Sequence, residues 1–370
     1  MKILQICSAR QLGGGERHLA DLANSLARRG HAIYAAVAPG SPLIPELHAI
    51  PKENITEVRM RNALDIFAAA RIARVVREFG IDVIHAHVAR DYPLAAVASS
   101  RTGGTPFVLT RHMLFPLSTI HRVTLRNAGR IIAVSNAVAE SLRMRSIIDP
   151  QKIVTIHNGI DTARFARDSG EYCRPACLDG VNAPLLVGMV GHLSPIKGQE
   201  EFIRAAGAIA ARRDDVDFVV IGDDKSLSGE NKLAIVRLIE RLDLVGRVHL
   251  VGWQDDVPPL LHAMDVFVSP SRAEPFGLAI VEAMASGVPV VATASEGALE
   301  IIEDGVTGKL ISIGDTDGLV QAIINLLDDP AAREQLSAAA LEAVNEQFSL
   351  EKMVDATEQI LGDVITHARP

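Results

Sequence analysis

The chain has 370 residues, of which 48% are hydrophobic and 4% aromatic, and its formal net charge is −8. This length exceeds what one hydrophobic core usually supports and predicts two domains, while the apolar content excludes a disordered or fibrous chain. The charge is uneven, because residues 1–166 hold 21 lysines and arginines against 12 acidic residues, whereas residues 167–370 hold 16 against 33.

The basic first part is compatible with an anionic acceptor, an acidic lipid surface or nucleic acid, and equally with solvated helix faces. Its arginines are spread along the chain with few aromatic residues between them, which predicts no nucleic-acid partner. The opening run of residues 1–7 is too short for a signal peptide or a membrane span and predicts a cytoplasmic protein. Three cysteines, Cys7, Cys173 and Cys177, predict neither a disulfide framework nor a metal site.

The first part alternates short apolar runs with stretches of helical spacing, which predicts a doubly wound parallel sheet of the α/β class. Ligands bind such sheets at the carboxyl ends of the strands. Glycines are predicted to end several helices, at Gly30, Gly80 and Gly129. The predicted strands are 2–7, 32–37, 82–86, 106–110, 130–134 and 153–156, and the predicted helices are 16–29, 64–78, 92–100, 117–127 and 137–144.

A turn at Asn158-Gly159 and a polar segment to about residue 181 predict an interdomain linker. The alternation then restarts and predicts a second domain of the same class. The tail 331–367 predicts two helices separated near 348–350, the last of which packs back onto the first domain. The predicted domains are 1–166 and 167–349, with the helix of about 350–370 returning to the first. The predicted strands of the second are 185–190, 218–221, 248–251, 266–269, 288–292 and 310–313.

The segment Gly13-Gly14-Gly15-Glu16 follows the first predicted strand and opens the first helix, where a helix N-terminus can receive a phosphate or a sugar. A dinucleotide fingerprint would need glycine where His18 stands and an acidic residue after the second strand, so hydride transfer is excluded.

Three histidines, His85, His87 and His112, fall at or just after predicted strand ends. We interpret His85 and His87 as structural residues. His112 is a functional candidate because Arg111 places a fixed cation beside it. The spacing of histidines, cysteines and carboxylates predicts no metal cluster.

In the second part, the loop from Gly191 to Gly198 carries Lys197 at the end of a strand, which predicts neutralisation of a phosphate. The loop lacks the Gly-Lys-Ser/Thr ending of a P-loop. A second segment, from Ser271 to Gly287, predicts a helix that has Pro275 in its first turn and stops at Gly287.

Glu282 is the only charge in the apolar helix predicted in that segment, which suggests an enclosed carboxylate. It follows Glu274 by eight residues, about 12 Å along a continuous helix, so the two carboxylates cannot share a proton or a metal. The backbone N–H groups between them are suited to a phosphate.

Together these segments resemble the retaining GT-B glycosyltransferases of family 4, the glycosyl transferases of group 1. The similarity rests on Gly13–Glu16, Thr110-Arg111-His112, Asn158–Asp161, Gly191–Gly198 and Glu274-Pro275-Phe276-Gly277 with Glu282, and it extends over essentially the whole chain. It implies two Rossmann-like domains that face each other across a cleft, with the sugar nucleotide held mainly by the C-terminal one.

The resemblance also implies site residues. Glu282 would bond the ribose hydroxyls and Glu274 the hydroxyls of the transferred sugar, while Lys197 would hold the diphosphate. Gly14, Gly15 and Glu16 would border the donor or the acceptor. The implied catalytic residues are His112, Lys197 and Glu274, and the implied donor-binding residues are Gly14, Gly15, Glu16, His192, Lys197, Glu274, Phe276, Gly277, Leu278 and Glu282.

Two positions depart from the family pattern. His192 stands where an arginine is common beside the diphosphate, so part of the expected positive charge depends on pH, unless another cation such as Arg272 compensates. Asp224 stands where a glycine is frequent, which suggests a different base or ribose pocket.

The implied reaction moves a sugar from a nucleoside-diphosphate sugar, with UDP the expected base, to a hydroxyl of a glycan or a lipid-linked glycan. No metal or other cofactor is expected. Peripheral contact with the inner face of an anionic membrane is expected. Two alternatives stay open at this point: a sugar-nucleotide epimerase of the same architecture and a non-catalytic protein that binds a sugar nucleotide or glycan.

Overall fold

The computed structural model describes residues 1–115, 117, 120–144, 148–167, 175–226 and 228–368. The chain divides into two compact units, one of Met1–Gly159 with Leu350–Pro370 and one of Ile160–Ser349. This division falls a few residues before the boundary that the sequence predicted at residue 166. Cys173 and part of the predicted linker lie outside the described residues. No helix in the described part of the chain is both long and apolar enough to cross a bilayer.

The first unit contains a parallel sheet whose strands are nearly continuous apolar runs, as expected for strands covered on both faces. The strands are β1 (Lys2–Cys7), β2 (Ala32–Val37), β3 (Ile55–Glu57), β4 (Val83–Ala86), β5 (Phe107–Arg111), β6 (Arg130–Ala133) and β7 (Ile153–Thr155). Their order is β3-β2-β1-β4-β5-β6-β7, so the strand order reverses between β1 and β4. The sequence missed β3, which has only three residues.

Helices connect these strands, and their buried faces are rich in alanine, leucine and valine. Both Gly30 and Gly80 follow a helix with positive φ, which confirms these two predicted helix ends. The helices of this unit are α1 (Gly14–Arg28), α2 (Ile66–Phe79), α3 (Tyr92–Arg101), α4 (Ile120–Thr124), α5 (Asn136–Arg143) and α14 (Leu350–Ala368), with 3₁₀ turns at Lys52–Asn54, Ala89–Asp91 and Pro150–Lys152.

The last helix, α14, belongs to the core of the first unit. Leu361 and Val354 are fully buried in the cluster that also contains residues of β1 and α1. Gly129, which the sequence predicted as a helix end, makes room for α14. A Cβ at this position would lie 2.5 Å from Val364 Cγ1. At the end of α1, the Arg29 guanidinium lies 2.7 Å from Glu358 of α14.

The second unit repeats the same plan around its own core. Its strands are β8 (Leu185–Val190), β9 (Val216–Ile221), β10 (Val248–Gly252), β11 (Val266–Ser269), β12 (Val290–Thr293) and β13 (Lys309–Ile311). All pair in parallel, in the order β10-β9-β8-β11-β12-β13. Here the order reverses between β8 and β11, and such a reversal is where ligands bind in doubly wound sheets.

The helices of the second unit cover both faces of this sheet, as parallel strands require. They are α6 (Thr162–Phe165), α7 (Gln199–Ala210), α8 (Glu230–Arg241), α9 (Pro258–Leu261), α10 (Leu278–Ala285), α11 (Ala298–Ile301), α12 (Thr316–Asp328) and α13 (Pro330–Gln347), with 3₁₀ turns at Ala176–Leu178 and Pro195–Lys197. Two parallel, Rossmann-like units are therefore present, as the sequence predicted.

Truncation of a core residue of α14 tests its place in the first unit. We expect Leu361→Ala to lower the free energy of unfolding of that unit by about 2–5 kcal/mol, because it leaves a cavity in a closed core. The matched control is Gln359→Ala, an exposed residue of the same helix, which should change it by less than about 0.5 kcal/mol. Differential scanning calorimetry measures both, and equal shifts for the two variants would contradict this placement.

Candidate active site

The two sequence segments singled out in the second part meet at the reversal of the second sheet. Residues 191–198 follow β8 and residues 270–277 follow β11, the neighbouring strand. The loops are joined through their backbones, since the N–H of Arg272 donates to the carbonyl of Ile196 at 2.8 Å. The sheet order thus brings together side chains that lie about 80 residues apart in the sequence.

Gly198 makes this close approach possible. Its φ is +73°, and a Cβ at this position would lie 2.0 Å from the carbonyl oxygen of Pro270. A residue with a side chain would both strain the backbone and clash with the second loop. The glycine at the end of the lysine loop therefore fixes its distance from the glutamate loop.

Lys197 and Glu274 form an ion pair across the two loops. Lys197 Nζ lies 2.5 Å from Glu274 Oε2, and the side chains are 21% and 12% exposed. The hydroxyl of Ser271 donates to the same oxygen at 3.3 Å. Both bonds go to Oε2, so the second carboxylate oxygen, Oε1, takes no part in them.

The lysine loop is held by a buried amide side chain. Gln199 donates from Nε2 to the carbonyl of His192 at 3.0 Å and accepts at Oε1 from the N–H of Ser194 at 3.3 Å. The N–H of Leu193 donates to the carbonyl of Asp223, in the loop after β9, at 3.0 Å. The backbone beside the strand end is therefore fixed before any ligand binds.

Helix α10 begins three residues later than the sequence predicted. Gly277 has φ +113°, which a helix cannot accommodate, so the helix starts at Leu278 and Pro275 lies in the preceding loop. No side chain caps its N-terminus within the described residues. Phe276 is buried with its ring 5.7 Å from that of Phe348, so its side chain is packed in the interior of the unit.

Glu282 lies in the second turn of α10 and is half-buried, not enclosed as the sequence suggested. The other faces of the helix are apolar and buried, as predicted. After α10, Gly287 has φ +68°, and the N–H of Val288 bonds the carbonyl of Ala283 at 3.1 Å. Gly287 is therefore the helix stop that the sequence predicted.

His192 is uncharged at neutral pH. Burial lowers its pKa below the ordinary value, and the ammonium groups of Lys197 and Lys225 lower it further, against a smaller opposite effect of Glu274. Arg272, the compensating cation suggested by the sequence, donates from Nε to Glu201 at 2.9 Å. Lys225 is a second cation close to His192, and its Nζ lies 5.4 Å from the centre of the Trp253 ring.

Asp224 organises the loop after β9. Although burial acts to raise its pKa, hydrogen bonds from the N–H groups of Lys232 and Ser226 and from the Asn231 amide keep it well below the ordinary value. The carboxylate thus ties this loop to the first turn of α8, which gives a structural reason for an acidic residue at this position.

In the first unit, the glycine-rich turn and His112 are neighbours. Gly13 caps α1, which begins at Gly14. The Cβ position of Gly15 lies 3.4 Å from His112 Cγ, and the guanidinium of Arg111 bonds the carbonyl of Phe115. Two segments predicted as functional in this unit are therefore adjacent, with Glu16 half-buried in the first turn of α1.

The fold also collects four histidines that the sequence spacing did not group: His18, His85, His87 and His112. The ring centres of His18 and His112 are 4.8 Å apart, and those of His85 and His87 are 4.2 Å apart. Burial lowers the pKa of His18 to about 4 and that of His85 to about 3, and it holds His87 and His112 well below the ordinary value. In the sequence, the only indication that these histidines could lie together was their position at strand ends and in the first helix.

Comparison with known proteins identifies the family. Residues 12–164 match the family model Glycosyltransferase Family 4, and residues 181–343 match Glycosyl transferases group 1. The lipopolysaccharide core biosynthesis glycosyltransferase LpsE of Rhizobium meliloti (strain 1021) is 33% identical over 357 residues, 94% of this chain and 96% of that protein. The chain belongs to the family 4 glycosyltransferases.

Two other proteins are also similar over nearly the whole chain. The N-acetyl-alpha-D-glucosaminyl L-malate synthase of Bacillus anthracis is 28% identical over 365 residues, which cover 93% of this chain and 92% of that protein. The crystal structure of Anabaena Alr3699/HepE in complex with UDP and glucose superposes with a TM-score of 0.85, at 26% identity, and covers 98% and 99% of the two chains. This glycosyltransferase therefore has the GT-B fold.

The resemblance implies an arginine where His192 stands, which predicts a pH-dependent affinity for UDP. We expect His192→Arg to bind UDP more tightly than the wild type at about pH 8. The ratio of the two affinities should fall as the pH falls through the pKa of His192, because protonation of His192 gives the wild type a positive charge at this position. The ratio cancels the titration of UDP itself. Isothermal titration calorimetry between about pH 5 and 8 measures it, and a constant ratio would contradict the prediction.

Proposed function

We propose that this protein transfers a hexose from a UDP-sugar to a hydroxyl of a glycan or a lipid-linked glycan, with retention at the anomeric carbon and without a metal on the diphosphate. The observation that carries the proposal is the Lys197–Glu274 pair at the reversal of the second sheet, beside the N-terminus of α10. The UDP and glucose of the Anabaena complex and the lipopolysaccharide core assignment of LpsE support this choice of donor and acceptor.

Lys197 and α10 account for the leaving group. The departing nucleoside diphosphate gains negative charge, which the ammonium of Lys197 and the backbone amides of Phe276, Gly277 and Leu278 stabilise. An ammonium carries three N–H donors, so Lys197 can keep its bond to Glu274 and donate to phosphate as well. These fixed groups do the work that a metal ion performs in other transferases.

The two glutamates bind hydroxyl groups. Glu274 offers Oε1 to the transferred sugar while Oε2 stays bonded to Lys197 and Ser271, so the sugar is positioned relative to the phosphate site. Glu282, half-buried in α10, bonds the ribose. His192, uncharged at neutral pH, borders the diphosphate.

Retention by front-face attack, rather than by a double displacement, agrees with the way Glu274 is held. A double displacement requires a carboxylate nucleophile, and the charge of Glu274 is neutralised by Lys197 at 2.5 Å. Attack on the same face as the departing phosphate needs no enzymic nucleophile, because the phosphate itself accepts the proton of the acceptor hydroxyl. In the first unit, we assign His112 to the neighbourhood of the transferred sugar and Gly14, Gly15 and Glu16 to the border of the donor or the acceptor.

Substitution of Lys197 tests the diphosphate site. We expect Lys197→Met to weaken UDP binding at least about tenfold and to slow transfer by about 10²–10³, because a fixed positive group next to the leaving phosphate is lost. Calorimetry with UDP and a coupled assay of UDP release from a panel of UDP-hexoses measure the two effects. Arg237→Met, which removes an exposed cation on α8, is the matched control and should leave both unchanged.

A second variant separates the sugar site from the phosphate site. Glu274→Gln should weaken binding of the UDP-sugar while leaving UDP affinity equal or higher, since Lys197 loses its competing partner. Equal losses of UDP and UDP-sugar affinity in this variant would contradict the assigned role of Glu274.

A separate incubation with a UDP-hexose and no acceptor distinguishes transfer from epimerisation. A change in the sugar of the recovered UDP-hexose would favour an epimerase instead.

An exposed apolar group at the start of α2 supports a membrane-bound acceptor. The side chains of Leu64, Ile66 and Phe67 are 68%, 57% and 82% exposed. The exposed arginines Arg61 and Arg71 lie within a few residues of them. Apolar side chains flanked by basic ones favour the surface of an anionic bilayer, where the apolar side chains enter the headgroup region and the guanidinium groups meet phosphate.

Vesicle binding tests this surface. We expect Phe67→Ser to reduce binding to vesicles with anionic lipid about tenfold or more, since burial of a phenylalanine side chain contributes about 1.5–3 kcal/mol. Leu233→Ser, which removes a 54% exposed leucine of α8, is the matched control and should have no effect. Sedimentation with anionic and with purely zwitterionic vesicles measures the binding, and equal binding of wild type and Phe67→Ser would refute the contact.

A further inference from the structure

The histidines of the first unit offer ligand atoms at one point. Within the part of the chain that the structure describes, one ring nitrogen from each of His18, His87 and His112 lies within 4.8 Å of the other two. His18 projects from α1, His87 follows β4 and His112 follows β5. Because β1, β4 and β5 are neighbours in the sheet, the cluster is held by the same reversal of strand order that locates ligands in this fold.

Each of these three histidines has at least one buried ring nitrogen without a hydrogen-bond partner among the described residues. His87 Nε2 lies 2.8 Å from Gln5 Oε1, which can only accept, so Nε2 carries the proton and Nδ1 keeps its lone pair. Within the described residues, His87 Nδ1 and His112 Nε2 are buried and bonded to no polar group. No hydrogen bond of normal geometry reaches either ring nitrogen of His18, although Asn158 is close enough to offset part of the burial effect on its pKa.

Such lone pairs are what a metal ion binds. Imidazole is a preferred ligand of Zn²⁺, Cu²⁺ and Ni²⁺, with a bond to zinc of about 2.0–2.1 Å, so ligand atoms on one tetrahedral ion lie about 3.4 Å apart. The three nitrogens lie within 4.8 Å of one another, and they reach the tetrahedral spacing when the rings shift toward the ion. The Gln5 carbonyl behind His87 is the kind of outer partner that orients metal-binding histidines.

We propose that His18, His87 and His112 bind one divalent transition-metal ion. The positive charge of Arg111, next to His112, repels a bound ion. The neighbouring ring of His85 is uncharged and adds no repulsion. Three protein ligands leave one position of a tetrahedral ion open. This site is distinct from the diphosphate site of the second unit, and a bound ion would take His112 Nε2, so metal and transferred sugar would compete for that residue.

Zinc binding to the tag-free, full-length protein tests the proposal. After removal of metals with a chelator, we expect calorimetry with Zn²⁺ alone to show one site per chain. We expect Co²⁺ to give the visible absorption of a four-coordinate ion. His18→Ala should weaken Zn²⁺ binding at least about 100-fold, because loss of a direct ligand costs no less than loss of an outer partner, for which about 10–100-fold is typical. His367→Ala, an exposed histidine of α14, should leave the affinity unchanged.

The fold of each variant is checked by its unfolding temperature without metal. If His18→Ala is destabilised, the Co²⁺ spectrum of the wild-type protein decides: strong visible bands support the site, and the weak spectrum of hydrated Co²⁺ overturns it. Absence of a stoichiometric site in the wild type, or equal affinity in wild type and a folded His18→Ala variant, also overturns the proposal. None of these outcomes depends on transferase activity, so a failure of the metal proposal is distinguishable from a failure of the proposed function.

Discussion

The ion pair between Lys197 and Glu274 is the interaction on which the proposed chemistry depends, and the order of the second sheet makes it possible. Because β8 and β11 are neighbours, the loops that follow them meet, and Gly198 lets their backbones touch. In the proposed function, this lysine and glutamate, 2.5 Å apart, set the distance between the phosphate and the sugar of the donor. The donor would thus be positioned by groups that are already in place.

The same architecture in the first unit leads to different chemistry. Its glycine-rich turn also follows the first strand of a sheet and opens a helix, but the side chains gathered there are histidines, and burial keeps them uncharged. A neutral, hydrogen-bonding surface suits hydroxyl groups, whereas a lysine beside a helix N-terminus suits phosphate. In the proposed function, one fold thus provides two sites, and the residues after the strands determine what each would bind.

Most strands of both sheets could be predicted from the sequence, because parallel strands buried on both faces are continuous apolar runs. The limits of the prediction are physical. Pro275 suggested an early helix start, but the positive φ of Gly277 delays it to Leu278. Gly129 suggested a helix end, although its role is to admit Val364 from α14, more than 200 residues later. The histidine cluster escaped notice because only the sheet order brings His18 and His112 together.

Hydrogen–deuterium exchange of the full-length protein with and without UDP tests the central claim most directly. We predict protection of the backbone amides in residues 191–198 and 276–282, because the lysine loop and the N-terminus of α10 hold the diphosphate. Protection confined to the first unit, or none in these two segments at saturating UDP, would contradict the assignment of the donor to the reversal of the second sheet.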